Sequence, residues 1–159
     1  MAAFIRPIST KKMLQALNGV IRLTYDLIHS YDTAIEQSAD PDRHRMFRQL
    51  QAMHERHCLK LADTARYLGG NPANSYDWRQ WITRAKAYLA GIGSEHELLW
   101  AVYGNEQKLR ETMRQTIREF ATCDDLVSVL REVLADSDEY EQLKEAAVGK
   151  KSSVTGNYR

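Results

Sequence analysis

The chain has 159 residues and a formal net charge of +1, with 43% hydrophobic and 27% charged residues. This length is typical of one domain, and the composition is that of a globular protein. The near-zero net charge argues against a dedicated nucleic-acid-binding protein. Because no apolar run approaches the ~20 residues that span a bilayer, and the N-terminus lacks the apolar segment of a signal peptide, we expect a cytoplasmic protein. Cys58 and Cys123 form no CxxC pair, which favours reduced thiols and leaves a long-range disulfide open.

The first predicted helix begins near Ser9 or Thr10, because both residue types are good N-caps. It extends to about Ala39. Its apolar residues recur with a period near 3.6, which is typical of one buried helix face. They are Leu14, Leu17, Ile21, Leu27, Ile28, Tyr31 and Ile35.

The second predicted helix begins at Pro41, because Asp40 is a good cap and proline is favoured at the first helical position. It runs to about Leu68, where Gly69-Gly70 and the following Pro72 end it. The apolar face of this helix includes one histidine. Its members are Met46, Phe47, Leu50, Met53, His57, Leu61, Ala65 and Leu68.

A long connection, residues 70–93, follows the second helix, whereas links between bundle helices usually have ~2–8 residues. Residues 77–90 are amphipathic, so we expect a short extra helix within the connection. Trp78 and Trp81 lie in this segment. They favour two interpretations equally: a surface for a partner, or a cover over the main helices.

Two further helices are predicted in the second half. Ser94-x-x-Glu97 is a capping box that opens the third helix, and Thr122-x-x-Asp125 is a capping signal before the fourth. The fourth is predicted as a single helix whose apolar residues extend from Leu126 to Leu143. The apolar faces comprise Leu98, Leu99, Val102, Leu109, Met113, Ile117 and Phe120, then Leu126, Val127, Leu130, Val133, Leu134, Tyr140 and Leu143.

Four long helices with one long link between the second and third predict an all-α fold. One long crossover is the ferritin-like variant of the four-helix bundle. We therefore expect an N-terminal segment at residues 1–10, the bundle at residues 11–147, and a polar, disordered tail at residues 148–159.

Short sequence blocks in all four predicted helices and in the crossover resemble small, largely uncharacterised bacterial proteins of the ferritin-like (rubrerythrin-like) superfamily. The order and spacing of the blocks agree over roughly residues 12–145. The blocks are LNGVIRL (residues 17–23) with Tyr25-Asp26, MHERH (53–57), LGGNP (68–72), WITRAKAYLAG (81–91), Asn105-Glu106 and VLAD (133–136).

The resemblance implies where a di-iron site would stand. Such a site takes one Glu from each of two helices and a Glu-x-x-His pair from each of the other two. Only His57 and Glu106 match this pattern, with His54 as a non-standard extra. The positions that the resemblance identifies are Thr24, His54 and His57, Glu106, and Ser137 with Tyr140.

One matched glutamate cannot balance the four positive charges of two ferrous ions in a low-dielectric core, so we expect no complete di-iron centre. The first hypothesis is a non-catalytic structural or interaction protein that self-associates, with a dimer favoured and no cofactor. A stress-related role is one option within this hypothesis. The alternative is a metal-binding protein or weak oxidoreductase that holds iron or zinc through His54, His57 and Glu106. Nucleic-acid binding, as in DNA-protecting ferritin-like proteins, is a weaker third hypothesis. Without metal, we expect a buried contact between His57 and Glu106.

Overall fold

The computed structural model of the chain describes residues 9–74, 87, 91–136 and 138–148. This part is all-α and contains no strand. Its helices are α1 (Thr10–Gln37), α2 (Pro41–Tyr67), α3 (Glu95–Glu119), α4 (Asp124–Ala135) and α5 (Asp138–Val148). The first eight residues, the tail from residue 149 and the predicted crossover helix with Trp78 and Trp81, apart from residue 87, lie outside the described residues.

Within the described ranges, we find no helix with both the length and the apolar character that crossing a bilayer requires. The two cysteine side chains are free thiols, so the disulfide that the sequence left open is not formed. Burial raises the pKa of the Cys58 thiol to about 12. This thiol is therefore not a reactive nucleophile near neutral pH.

The predicted single fourth helix is wrong, because the structure divides it into α4 and α5. Asp136 follows α4 with a non-helical backbone (ψ 85°). Asp and Ser side chains compete with the backbone for hydrogen bonds, so the run Asp136-Ser137-Asp138 is a weak place in a helix. Thr122 is not the N-cap either, since α4 begins at Asp124 with Cys123 at the cap position.

The predicted apolar faces of the long helices form the core. Leu14 and Ile35 in α1 are partly buried, whereas the other members of the predicted α1 face are buried. Burying a large apolar side chain stabilises the fold by about 1.5–3 kcal/mol. The largest fully buried side chains come from α1 to α4: Leu17, Ile21, Tyr31, Phe47, Leu50, Met53, Leu61, Leu99, Leu109, Leu126 and Leu130.

The hydrogen bonds between helices define their directions. The start of α1 lies beside the segment after α2, where Asn18 bonds to Asn71 and Ala73. The opposite end of α1 lies beside the start of α3, where Ser38 bonds to Glu95. Both α2 and α3 therefore run antiparallel to α1. Asn18 and Ser38 are roughly 30 Å apart along a helix that rises ~1.5 Å per residue, so the end of α2 and the start of α3 lie near opposite ends of α1.

Glu95 joins the start of α3 to the connection between α1 and α2. Its carboxylate accepts hydrogen bonds from Ser38 Oγ at 3.1 Å, the backbone N–H of Ala39 at 2.7 Å and Arg43 Nη1 at 2.9 Å. Burial opposes ionisation, but these three donors outweigh it and lower the pKa of Glu95. Glu95 also lies in the first turn of α3, where the helix dipole favours a negative charge.

The end of α2 depends on two glycines and on Asn18. Gly69 has φ +82°, in the left-handed region where glycine closes a helix, and the N–H of Gly70 donates to the carbonyl of Ala65 at 2.9 Å. The Asn18 side chain then donates to the carbonyl of Asn71 at 3.1 Å and accepts from the N–H of Ala73 at 2.7 Å. This amide therefore fixes the exit from α2 against α1.

Two glycine-to-alanine substitutions should change stability in opposite directions. Gly104 lies exposed inside α3, and a Cβ there meets nothing within 4 Å. Gly104→Ala should raise the free energy of unfolding by about 0.5–1 kcal/mol, because alanine loses less backbone entropy in a helix. Gly69→Ala should lower it by about 1–2 kcal/mol, because its positive φ strains an L-residue. Urea unfolding followed by circular dichroism measures both; a destabilised Gly104→Ala protein would contradict the open environment of that position.

The lowered pKa of Glu95 should make its contribution to stability depend on pH. A carboxyl group whose folded pKa is depressed stabilises the protein above its unfolded pKa, near 4.5, and loses this contribution as pH falls through the folded pKa. The difference in free energy of unfolding between the wild type and Glu95→Gln should therefore be largest near neutral pH and shrink below about pH 4. Glu119→Gln, at the opposite end of α3, is the control. A difference independent of pH would contradict this role.

Candidate functional site

Three helices meet at a buried polar cluster composed of Tyr31 from α1, His54 from α2 and Glu106 from α3. None of the three residues is more than 2% exposed. The hydroxyl of Tyr31 donates a short hydrogen bond to Glu106 Oε1. His54 Nε2 lies 2.6 Å from the same oxygen. One carboxylate oxygen therefore joins α1 and α2 to α3.

The acceptor in this cluster determines the direction of both hydrogen bonds. A carboxylate oxygen accepts hydrogen bonds, which assigns the donor role to His54 Nε2. Burial raises the pKa of Tyr31 well above its ordinary value, and the negative charge and hydrogen bond of Glu106 raise it further. Tyr31 is consequently a neutral donor. Its ring also lies nearly parallel to that of His54, with centroids 6.0 Å apart.

His57 lies one helical turn after His54 and pairs with a different carboxylate. Its Nε2 is 2.8 Å from Asp136 Oδ2 at the break between α4 and α5. The His57 side chain is 5% exposed and that of Asp136 is 44% exposed. Burial lowers the pKa of His57 and the neighbouring His54 adds to this effect, while Asp136 opposes it. The imidazole is therefore neutral near neutral pH.

The two histidines share an unusual feature at their second ring nitrogen. The Nδ1 atoms of His54 and His57 are buried and have no hydrogen-bond partner in the described part of the chain. The rings meet edge to face with centroids 5.6 Å apart. Buried polar atoms are nearly always paired, so two unpaired nitrogens on adjacent turns require an explanation.

Arg110, one turn after Glu106 in α3, holds the break between α4 and α5. Its Nη2 donates to the carbonyl of Leu134 at 2.9 Å, which is one of the last carbonyls of α4 and lacks a partner within that helix. Its guanidinium carbon lies 4.3 Å from the centroid of the Tyr140 ring in α5. Such a cation–π contact is worth about 0.5–1 kcal/mol or more. Arg110 thus fixes both sides of the break that presents Asp136 to His57.

The structure brings the three predicted metal-site residues into one chain of contacts, but their pairing differs from the prediction. His54, rather than His57, bonds to Glu106, so the expected contact between His57 and Glu106 is wrong. Sequence reasoning assigned Tyr31 only to the core and gave Asp136 no partner. The low helix propensity of residues 136–138 was the available signal for the break.

Two other positions of the implied di-iron pattern, Thr24 and Tyr140, have side chains that are engaged elsewhere. The Thr24 hydroxyl is buried and donates to the carbonyl of Val20 at 2.9 Å, within its own helix. Tyr140 packs under Arg110, and Ser137 lies outside the described residues. In the described ranges, no group of three or more His, Cys, Asp or Glu side chains could hold a metal ion. These residues do not fit a di-iron centre.

Comparison with known proteins finds one family, described as a domain of unknown function (DUF2383), that matches residues 12–119. No curated protein and no solved structure matches the chain. The match extends over α1, α2 and α3, including Tyr31, His54 and Glu106, and ends before α4. Because it covers more than half of the chain, the protein belongs to the DUF2383 family.

Proposed function

We propose that the chain is a ferritin-like four-helix bundle in which α4 and α5 together take the place of the fourth helix. The antiparallel contacts of α1 with both α2 and α3 support this proposal. The connection of opposite ends between α2 and α3 supports a crossover, because a link of this kind makes those two helices parallel. The bonds of His57 to Asp136 and of Lys60 to Glu132 support an antiparallel arrangement of α2 and α4.

Within this fold we propose a structural or interaction protein without a di-iron centre. The proposal rests on one observation: Tyr31 and His54 both form hydrogen bonds with Glu106 Oε1. This carboxylate is the one glutamate that matches the implied ligand pattern, and its hydrogen bonds already offset the cost of its burial. Self-association, with a dimer favoured, is part of the proposal because homodimers are the commonest oligomers.

The charges around the cluster support a core without two iron ions. Two ferrous ions need several carboxylates as ligands and as counter-charges. Glu106 is buried here, whereas Asp136 is half-exposed at the edge of the array. Arg110 belongs to α3, its guanidinium packs on Tyr140 of α5, and its positive charge lies close to Glu106. A hydrogen-bonded core therefore satisfies the charges present better than a dinuclear cluster.

A second candidate function is the binding of a single metal ion by His54 and His57 beside Glu106, with or without weak redox activity. The unpaired Nδ1 atoms of the two histidines favour it. Imidazole nitrogen is a ligand for zinc, copper, iron and nickel. This candidate concerns one ion, so it is compatible with the loss of a di-iron centre.

Iron loading of protein purified without an affinity tag tests the first proposal. After incubation with ferrous iron and desalting, elemental analysis should find fewer than two iron ions per chain. Ferrous oxidation in air should be no faster than in buffer, because a dinuclear centre is not formed. Glu106→Gln is the matched variant and should behave like the wild type in both assays. Two iron ions per chain that disappear in Glu106→Gln would overturn the proposal.

Tyr31→Phe tests whether the hydrogen-bonded cluster stabilises the fold. The substitution removes the hydroxyl that donates to Glu106 and leaves a buried carboxylate with one donor fewer. We expect the free energy of unfolding to fall by about 1–3 kcal/mol. Tyr67→Phe is the matched control, because Tyr67 is 76% exposed and should change stability little. Equal effects in urea unfolding would show that the hydrogen bond to Glu106 contributes nothing to the fold.

A further inference from the structure

We propose that His54 and His57 bind one transition-metal ion through their Nδ1 atoms, while Glu106 and Asp136 orient the two rings. This inference rests on the second candidate function and defines the roles of its residues. Glu106 becomes a positioning residue instead of the ligand that the sequence predicted. Asp136, which the implied ferritin-like pattern does not include, becomes the positioning residue for His57.

The hydrogen bonds of the two rings determine which nitrogen is available. Each Nε2 lies within 2.8 Å of a carboxylate oxygen, so each Nε2 carries the proton. A neutral imidazole with its proton on Nε2 has a lone pair on Nδ1. Metal-binding histidines almost always donate their other N–H to a carboxylate, carbonyl or water in this manner. Both rings therefore have the arrangement of oriented metal ligands.

Burial and ring separation support a common ligand for the two nitrogens. His54 is 2% exposed and His57 is 4% exposed, and the Nδ1 atom of each is without a partner in the described ranges. A bond between a metal and an imidazole nitrogen is about 2.1 Å long, so two rings on one ion have centroids roughly 4.5–6.5 Å apart. The observed separation of 5.6 Å lies within this range.

The donor set defines the class of metal. Two imidazoles suit zinc, copper, iron or nickel, whereas magnesium and calcium require oxygen ligands. Glu106 and Asp136 together bring two negative charges, which balance one divalent ion without coordinating it. The site uses two protein ligands, so it differs from the groups of three or more that the described residues lack.

The helix break gives Asp136 its place in this arrangement. A continuous helix through residues 135–138 would not leave Asp136 with its observed backbone, and Arg110 fixes the break through Leu134 and Tyr140. Asp136 remains 44% exposed, so it can be replaced with little effect on packing. A carboxylate that only orients a ligand contributes a part of the metal affinity, and its loss typically weakens binding about 10–100-fold.

The test is titration of the full-length, tag-free protein with Co²⁺ and Zn²⁺, followed by visible absorption and calorimetry, with Mg²⁺ as the negative probe. His54→Gln and His57→Gln remove the Nδ1 ligand and keep the hydrogen bond, because the glutamine amide can still donate to the carboxylate but has no equivalent of Nδ1. His96→Gln, at the start of α3, is the matched control. Asp136→Asn separates orientation from ligation, and thermal unfolding of the metal-free variants verifies that they fold.

The proposal expects one Co²⁺ or Zn²⁺ per chain, no Mg²⁺ binding, and loss of binding in both glutamine variants. Asp136→Asn should keep one equivalent with about 10–100-fold weaker affinity and the same Co²⁺ spectrum. Binding that survives His54→Gln or His57→Gln would overturn the proposal. Loss of Co²⁺ in Asp136→Asn as complete as in His57→Gln would also overturn it and make Asp136 a ligand. Absence of binding by the wild type would remove the second candidate function while leaving the first intact.

Discussion

The buried carboxylate of Glu106 is the constraint on which the arrangement of the long helices depends. A carboxyl group that is 1% exposed is tolerated only with hydrogen bonds around it. Tyr31 and His54 satisfy this requirement from two other helices. The correct register of α1 and α2 against α3 is therefore coupled to one oxygen atom, whereas apolar contacts alone would tolerate small shifts.

The position of a second carboxylate, that of Asp136, depends on the break between α4 and α5. Arg110 stabilises this break because it donates to the carbonyl of Leu134 and packs on the Tyr140 ring. Arg110 and Glu106 are four residues apart and thus on the same face of α3. One side of α3 consequently organises both histidines of α2, directly through Glu106 and indirectly through the break that presents Asp136 to His57.

The sequence predicted the helices well, because each long helix has an apolar face with a regular period and clear end signals. The cap at Asp40, the glycine at position 69 and the buried Tyr31 follow from local rules. The pairing of His54 and His57 with their carboxylates could not be predicted in this way. Both histidines point to one face of α2, and which carboxylate reaches which ring depends on the rotation of α3 and on the end of α4.

The same geometry explains how a site can change its chemistry while keeping its histidines. A carboxylate oxygen that already accepts from Tyr31 and His54 is a poor metal ligand, because coordination would leave those buried donors unpaired at about 1–3 kcal/mol each. The bond that engages Glu106 Oε1 also assigns the proton of His54 to Nε2 and leaves the lone pair on Nδ1. Asp136 does the same for His57. In the proposed site, the absence of carboxylate ligation and the presence of imidazole donors both follow from one set of hydrogen bonds.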